Sequence, residues 1–197
     1  MLPRDLERVD NAATVVLVEG VSDAAAVRST ALVLGLDLEA ERVHVVQAGG
    51  VTNFRKFLVD LGPRGRRMRL AGLCDAPEER HLVRALEAAG LGRPDDRESM
   101  ARMGFFVCSR DLEDELIRAL GTDRVLDILD RNGDLERFRT FQRQPAKRDE
   151  PIDRQLHRFF GTTSGRKERY GRILAGRLNP ENIPSSLASL IDFVVRP

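Results

Sequence analysis

Cysteine is scarce in this sequence of 197 residues, which contains only Cys74 and Cys108. The two positions lack the spacing of a metal-ligand motif, and they do not suggest a disulfide framework. Each falls near the end of a predicted buried strand, so we interpret both as small core residues in a reducing compartment. No apolar run reaches about 18 residues, the length of a membrane span, and residues 1–13 do not resemble a signal peptide. We therefore expect a cytoplasmic protein without a membrane partner.

Histidine is also scarce, with three residues, His44, His81 and His157. No order of Ser, His and Asp, or of Cys and His, supports a nucleophile triad. No Cys/His set suggests zinc. His157 is predicted to lie on a helix, and the sequence shows no partner for it.

Charge is unevenly distributed, although the net charge is only +1. Residues 137–177 hold 12 Lys and Arg residues against 4 Asp and Glu residues. We interpret this section as a candidate contact for the phosphates of DNA; the alternative is an ordinary solvated helical face. The residues expected to bind DNA are Arg139, Arg143, Arg158, Arg166 and Lys167.

The hydrophobic pattern predicts an α/β fold with a parallel sheet of about four strands flanked by helices. Strands are predicted at 14–18, 43–47, 70–74 and 104–108, with helices between them and a polar loop over 90–100. After Gly121 only helices are predicted, at 122–131, 135–141, 152–160, 166–178 and 185–195. We therefore expect an α/β core over 1–120 and a helical C-terminal extension over 121–197, packed on the core as a single compact unit.

The stretch from Thr14 to Asp23 organises this pattern. Four apolar residues, mostly β-branched, predict a strand buried on both faces that ends at Glu19-Gly20. Open α/β sheets bind their ligands at the carboxyl ends of strands, where Glu19 lies. Asp23 is about one turn further on, in a helix that Ser22 is expected to cap. The alternative is a helix start whose acids favour the helix dipole.

Each predicted strand ends in an acidic residue or a glycine turn. Asp75 follows the third strand, Gly49-Gly50 follows the second, and Asp111, Glu113 and Asp114 follow the fourth. Because the ends of parallel strands converge, we expect these carboxylates to cluster. Carboxylate oxygens with water suit Mg²⁺ or Mn²⁺, and such a cluster fits metal-assisted phosphodiester chemistry.

The order of these motifs resembles the Toprim domain, which topoisomerases, primases and certain nucleases share. The residues that carry the resemblance are Val18-Glu-Gly-Val-Ser-Asp23, Gly49-Gly50 and Leu73-Cys-Asp75. Three further segments resemble OLD-type nucleases, namely Arg110-Asp-Leu-Glu-Asp114, Ser164-Gly-Arg-Lys167 and Asn179-Pro-Glu-Asn-Ile-Pro184. The resemblance covers nearly the whole chain.

The resemblance implies a Toprim, Rossmann-like sheet and a metal-dependent DNA nuclease that hydrolyses phosphodiester bonds. It assigns metal binding, with Mg²⁺ or Mn²⁺ at two sites, to Glu19, Asp23, Asp75 and Glu113. It also gives a catalytic role to Glu19 and to Lys167, with Lys167 near the scissile phosphate. If only one ion binds, Glu19 can instead act as the general base.

Two departures from the family pattern affect these expectations. The family has Asp-x-Asp after the third strand, whereas this chain has Asp75-Ala-Pro77. We expect Glu78 or Glu79 to supply the missing ligand, or one metal site to be weak; Glu78 is the residue that we include among the ligands. OLD proteins also carry an ATPase domain, and no Gly-x-x-x-x-Gly-Lys-Ser/Thr motif is present here. The chain is therefore expected to act alone or with a separate ATPase protein, and a homodimer is possible.

Two other functions remain open. The first is a degenerate Toprim module that binds nucleic acid or a partner protein without cleavage, which the missing second Asp favours. The second is a phosphoacceptor signalling domain built around Asp75 and Glu19. Such a domain needs a Lys after a fifth strand, and the sequence predicts no fifth strand.

Overall fold

A four-stranded parallel sheet forms the centre of the protein. The computed structural model describes residues 9–163 and 165–196. The strands are β1 Thr14–Val18, β2 Val43–Gln47, β3 Arg69–Cys74 and β4 Phe105–Val107. They lie in the order β2-β1-β3-β4, and each neighbouring pair is parallel. Every residue of β1 is buried, as expected for a strand covered on both faces. The predicted α/β class with about four parallel strands is confirmed.

Helices connect the strands and make up the C-terminal part of the chain. In the described residues they are α1 Val21–Val33, α2 Phe54–Leu61, α3 Glu79–Ala89, α4 Arg97–Arg102, α5 Leu112–Leu120, α6 Thr122–Arg131, α7 Leu135–Gln142, α8 Ile152–Phe160, α9 Arg166–Ala175 and α10 Ser185–Val195. Short 3₁₀ turns lie at Val51–Asn53, Ala76–Glu78 and Pro180–Asn182. Most predicted helices agree with these bounds to within one or two residues, whereas the predicted helix 166–178 is three residues too long.

The predicted polar loop over 90–100 is wrong at its end, because α4 begins at Arg97. The Asp96 carboxylate accepts a hydrogen bond of 2.7 Å from the Ser99 backbone N–H. The Ser99 hydroxyl returns a hydrogen bond of 2.8 Å to the Asp96 carbonyl. This N-terminal cap stabilises a helix that the polar composition obscures.

Two hydrophobic cores cover the two faces of the sheet. On one face, Val15 and Leu17 of β1 pack in a cluster with residues of α2, α3 and α4. On the other face, Val16 and Val18 pack with α1 and with helices from α5 to α10. The alternation along β1 therefore assigns each neighbouring residue to a different core.

The C-terminal helices close the second core rather than standing apart from the sheet. Phe193 of α10 packs against Phe106 of β4 with ring centroids 6.1 Å apart. Helix α9 lies against α1 at Gly171, where an added Cβ would be 2.6 Å from Ser22 Oγ and 3.0 Å from the Ser22 carbonyl oxygen. Glycine is therefore required for this close approach. The boundary at residue 120 stays a prediction.

Residues 1–8, Ser164 and Pro197 lie outside the described residues. Most of the segment 1–13 and the first residue of the Ser164–Lys167 segment therefore lie there. Within the described ranges, no helix combines the length and the apolar character needed to span a bilayer.

Candidate metal centre

Glu19 is fixed at the carboxyl end of β1 by the neighbouring strand ends. The backbone N–H groups of Gly49 and Gly50 donate to the Glu19 carbonyl at 2.9 and 3.0 Å. Both glycines have positive φ angles, 74° and 112°, which explains why this turn contains glycine. Oε1 of Glu19 accepts a hydrogen bond of 3.1 Å from the Asp75 backbone N–H. The turn and β3 thus position the Glu19 side chain.

Asp23 lies in the first turn of α1, and its carboxylate binds back to the residue that caps this helix. Its Oδ2 accepts a hydrogen bond of 2.8 Å from the Gly20 backbone N–H. Gly20 is the cap residue of α1, so the expectation that Ser22 caps this helix is wrong. Burial, followed by repulsion from Glu113, raises the pKa of Asp23 to about 6.

Asp75 follows β3 and faces the other acids. Its Oδ1 accepts a hydrogen bond of 3.3 Å from the Leu112 backbone N–H at the start of α5. Burial raises the pKa of Asp75 to about 7, and repulsion from Asp23 and Glu19 adds to the effect. Burial also raises the pKa of Glu19. These three carboxylates therefore share a region where negative charge is poorly solvated.

Glu113 lies in the first turn of α5 and is 3% exposed. The Ser22 hydroxyl donates to its Oε1 at 2.7 Å, and Nζ of Lys167 is 3.2 Å from its Oε2. Ser22 Oγ is also 3.1 Å from the Lys167 carbonyl oxygen, which ties the start of α1 to α9. Burial opposes the charge of Lys167, but the Glu113 carboxylate holds the pKa of the lysine above its usual value.

His157 is a member of this site that the sequence did not reveal. Its Nε2 lies 3.0 and 2.9 Å from the two carboxylate oxygens of Asp111. The hydrogen bond to Asp111 raises the pKa of His157. Burial works against ionisation of Asp111, but the hydrogen bond from His157 holds the pKa of Asp111 below its usual value. The expectation that His157 lacks a partner is therefore wrong.

A cleft of about 480 Å³ opens over Asp75 and Asp111. Its other charged lining residues are Glu113, Lys147, His157, Arg158 and Lys167. Acidic and basic side chains thus line the same cleft, which is the combination expected of a site for a phosphate ester with a divalent ion.

The segment after Asp75 contains the two acids, Glu78 and Glu79, that were expected to replace the absent second Asp. Pro77 lies in the 3₁₀ turn Ala76–Glu78. Glu79 faces Arg97, with a distance of 2.8 Å between Oε2 and a guanidinium nitrogen, so it is directed to an ion pair. Glu78 lies close enough to Glu19 to contribute to the raised pKa of Glu19. Glu79 is thus held in an ion pair, whereas Glu78 is the acid whose charge acts on Glu19; a role of either as a ligand stays a prediction.

Each arginine that was expected to bind DNA contacts another residue of the protein in the described structure. Arg139 pairs with Glu136 at 2.6 Å, and Arg143 Nε donates to the Arg139 carbonyl at 3.3 Å. Arg158 is 2.7 Å from Glu150 and also lines the cleft. The Arg166 guanidinium lies 4.1 Å from the Phe159 ring centroid. A role of these residues in DNA binding stays a prediction.

The acidic residues of the site form two groups that differ in their balance of charge. We call one group the acid-only end, which consists of Glu19, Asp23 and Asp75. We call the other the paired end, which consists of Asp111, Glu113, His157 and Lys167. Burial, followed by repulsion between the carboxylates, raises the pKa values of Asp23 and Asp75 at the acid-only end, and a cation bound there would relieve this repulsion. Carboxylate oxygens are the groups that Mg²⁺ and Mn²⁺ prefer.

Comparison with known proteins identifies the fold. Residues 12–62 match the family described as Overcoming lysogenization defect protein-like, TOPRIM domain. This range contains β1, β2, Glu19, Asp23 and the glycine pair, so the family match covers two of the three residues of the acid-only end, and Asp75 lies beyond it. Comparison with curated proteins gives no significant match.

Solved structures match almost the full chain. The C-terminal region of the Burkholderia pseudomallei OLD protein has a TM-score of 0.71 and 20% identity, with 93% of this chain and 97% of that chain covered. The C-terminal region of the Xanthomonas campestris pv. campestris OLD protein gives a TM-score of 0.70 and 24% identity, with 95% and 94% covered. The chain therefore has the Toprim fold of these OLD C-terminal regions.

Proposed function

We propose that this protein is a divalent-metal-dependent nuclease that hydrolyses phosphodiester bonds of DNA. The observation that carries the proposal is the convergence of Glu19, Asp23, Asp75 and Glu113 at one edge of the sheet, with Lys167 paired to Glu113. The OLD-type Toprim fold supports the same reaction class by analogy.

Glu19, Asp23, Asp75 and Glu113, with Glu78 nearby, would hold Mg²⁺ or Mn²⁺. A bound ion of this kind supplies charge stabilisation and a nucleophile at neutral pH. We keep two sites in the proposal, one of them weak because Pro77 replaces an acid.

The chain itself contributes several functions around that site. The Asp75 N–H orients the Glu19 carboxylate, and the raised pKa of Glu19 suits a group that accepts a proton from water if a single ion binds. Lys167 has a half-exposed side chain, so its ammonium can turn from Glu113 toward a substrate phosphate. Arg158 and Lys147 line the same cleft and add positive charge along the path of a nucleic-acid backbone.

The cleavage test uses two acids on the same helix. Supercoiled plasmid is incubated with Mg²⁺ or Mn²⁺ and with the parent protein, Glu113→Gln or Asp114→Asn. Asp114 was expected in the cluster, but its carboxylate pairs with Arg110 and Arg118 at 3.4 and 2.7 Å, so it is the matched control. We expect Glu113→Gln to reduce nicking by at least about 100-fold, as for loss of a charge-stabilising group. Equal activity of the parent and Glu113→Gln would contradict the proposal.

DNA binding by residues 137–177 is tested by its salt dependence. Two phosphate contacts contribute about 2 to the slope of log affinity against log salt. We expect Arg139→Glu with Arg143→Glu to reduce the slope by about that amount. The control is Arg55→Glu with Arg84→Glu, on α2 and α3 at the other face of the sheet. The same slope in both double variants would assign Arg139 and Arg143 to a solvated face.

The second candidate function is a non-catalytic Toprim module that binds nucleic acid or a partner protein. Pro77 in place of an acid and the engagement of Glu79 by Arg97 favour it. If the parent and Pro77→Asp both bind DNA but neither nicks it, this second function replaces the first. Cytoplasmic location, a separate ATPase protein and a homodimer remain parts of the proposal that sedimentation and co-purification can test.

A further inference from the structure

His157 and two acids of the paired end already have the spacing of a metal-ligand set. One ligand atom from each of Asp111, Glu113 and His157 lies within 4.8 Å of the other two. Ligand atoms at about 2.0–2.2 Å from one ion lie within about 4.5 Å of one another. Only small side-chain movements therefore separate this arrangement from coordination.

The three side chains are carried by helix positions that the fold holds in place. Asp111 is the cap of α5, and its Oδ1 accepts a hydrogen bond of 2.9 Å from the Asp114 backbone N–H. Glu113 follows in the first turn of that helix. His157 lies on α8, which packs against α5. Ligands on packed helices need little ordering when an ion binds.

The segment after β3 gives a reason for a nitrogen ligand in this chain. Pro77 cannot coordinate an ion, and Glu79 faces Arg97 rather than the cluster. Glu78 contributes on the side of Glu19, at the acid-only end. The segment after β3 therefore adds no donor at the paired end, where the imidazole of His157 is the group that faces Asp111.

We propose that Asp111, Glu113 and His157 form a metal site with mixed oxygen and nitrogen ligands, which takes a transition-metal ion such as Mn²⁺ or Zn²⁺ in preference to Mg²⁺. Imidazole favours transition metals, whereas Mg²⁺ prefers oxygen ligands and water. The site deepens the proposed function and rests on it in one respect: it would be the second of the two metal sites in the same cleft.

An ion at this site would also change the contact between Lys167 and Glu113. An ion at Glu113 neutralises the carboxylate that now attracts Lys167 at 3.2 Å. The side chain of Lys167 is 52% exposed, so it can turn away from Glu113 into the cleft. Metal binding at His157 would thus release the lysine toward a phosphate.

The test measures the histidine directly, without relying on activity. The protein has three histidines, so its imidazole nitrogen spectrum can be assigned with His44→Gln, His81→Gln and His157→Gln. We expect Zn²⁺ to shift the Nε2 resonance of His157 at one equivalent, and millimolar Mg²⁺ to leave it in place. Calorimetry on His157→Gln should show Zn²⁺ affinity reduced by at least about tenfold, since even groups that only support a ligand have effects of this size.

His81→Gln is the matched control, because His81 is exposed on α3 and should leave the Zn²⁺ affinity unchanged. If Zn²⁺ leaves the His157 resonance unmoved in the unmutated protein, the proposal is overturned and His157 is only an ion-pair partner of Asp111. An unchanged Zn²⁺ affinity in a folded His157→Gln protein has the same meaning. Zn²⁺ binding at His157 without plasmid nicking would support the site and reject the nuclease, whereas nicking without a His157 shift would do the reverse.

Discussion

The two ends of the acidic cluster differ in how the charge of their buried carboxylates is balanced. At the acid-only end, burial raises the pKa of Asp23 to about 6 and that of Asp75 to about 7. At the paired end, His157 holds the pKa of Asp111 below its usual value, and Lys167 pairs with Glu113. Side chains of the protein therefore balance the carboxylate charge at the paired end. At the acid-only end, protons or a bound cation would have to balance it.

This difference indicates what an ion must do at each end. At the acid-only end it relieves repulsion among carboxylates, so binding should stabilise the fold. At the paired end it must displace a lysine or replace the proton of a histidine, so binding competes with contacts within the protein. Stability, rather than activity alone, can therefore distinguish the two ends.

The largest expected effect is at the acid-only end, in the metal-free protein. In the unfolded chain the Asp23 carboxyl ionises near the ordinary aspartate pKa of 3.8, whereas in the folded protein its pKa is about 6. The folded state thus binds more protons between these values, and stability falls as pH rises through them. Asp23→Asn should remove about 2–3 kcal/mol of this pH dependence, as measured by urea unfolding at pH 4 and pH 7 with a chelator present.

Asp114→Asn serves as the control for that measurement, because the Asp114 carboxylate pairs with two arginines, Arg110 and Arg118, rather than facing other acids. The Asn side chain at residue 23 can still accept the hydrogen bond from the Gly20 N–H. Parallel pH profiles for the parent and Asp23→Asn would show that the acid-only end is better solvated than its burial indicates.

At the paired end we expect a smaller effect, which is a loss of stability at pH 7. Lys167→Met removes the cation beside the buried Glu113 carboxylate and leaves its charge without compensation. We expect a loss of about 1–2 kcal/mol in the free energy of unfolding, less than for a fully buried pair because Lys167 is half exposed. The measurement is urea unfolding at pH 7 without metal.

The control for this change is Lys147→Met in the same cleft. Lys147 lies 5.7 Å from the Phe141 ring centroid, so its loss should change stability by less than about 0.5 kcal/mol. If the two lysine variants lose the same stability, the contact between Lys167 and Glu113 has no special energetic role.

The smallest expected effect comes from adding an acid to the acid-only end. Pro77→Asp restores the acid that the family pattern has at this position, and Mg²⁺ demands stricter octahedral geometry than larger ions. We expect Mg²⁺ affinity to rise a few-fold and the preference for Mn²⁺ in cleavage to narrow, as measured by calorimetry and plasmid nicking.

Glu79→Gln tests whether position matters as well as charge. Because Glu79 contacts Arg97, its removal should leave Mg²⁺ affinity unchanged, whereas Glu78→Gln should reduce it. A drop in affinity for Glu79→Gln alone would reassign the missing ligand to Glu79.

The sheet was predictable from the sequence because its strands are short runs of apolar residues that end at Gly or acidic residues. The stretch Thr14–Val18 is buried throughout, and such a run allows little other than a central strand. Helix α4 was missed because its stability comes from the reciprocal contacts of Asp96 and Ser99, and its apolar pattern is weak.

The site was predictable only as far as strand ends and motifs define it. Glu19 and Asp75 directly follow strands and Asp23 lies in the first turn of the helix after β1, so the topology brings them together. His157 is 46 positions from Asp111 along the chain, and only the packing of α8 on α5 joins them. The basic composition of 137–177 was visible in the sequence, but the contacts of its arginines were not. Arg139, Arg158 and Arg166 each contact a residue of the protein itself.

Gly171 shows how a position without any functional group can limit a reaction. The absence of a side chain there lets α9 rest on Ser22, and the same helix carries Lys167 to Glu113. A methyl group at residue 171 would meet the Ser22 backbone at 3.0 Å, so α9 would have to move outward and take the lysine with it. In a screen of random variants, we therefore expect substitutions of Gly171 to be as harmful as those of the acids, because Gly171 sets the distance between Lys167 and Glu113.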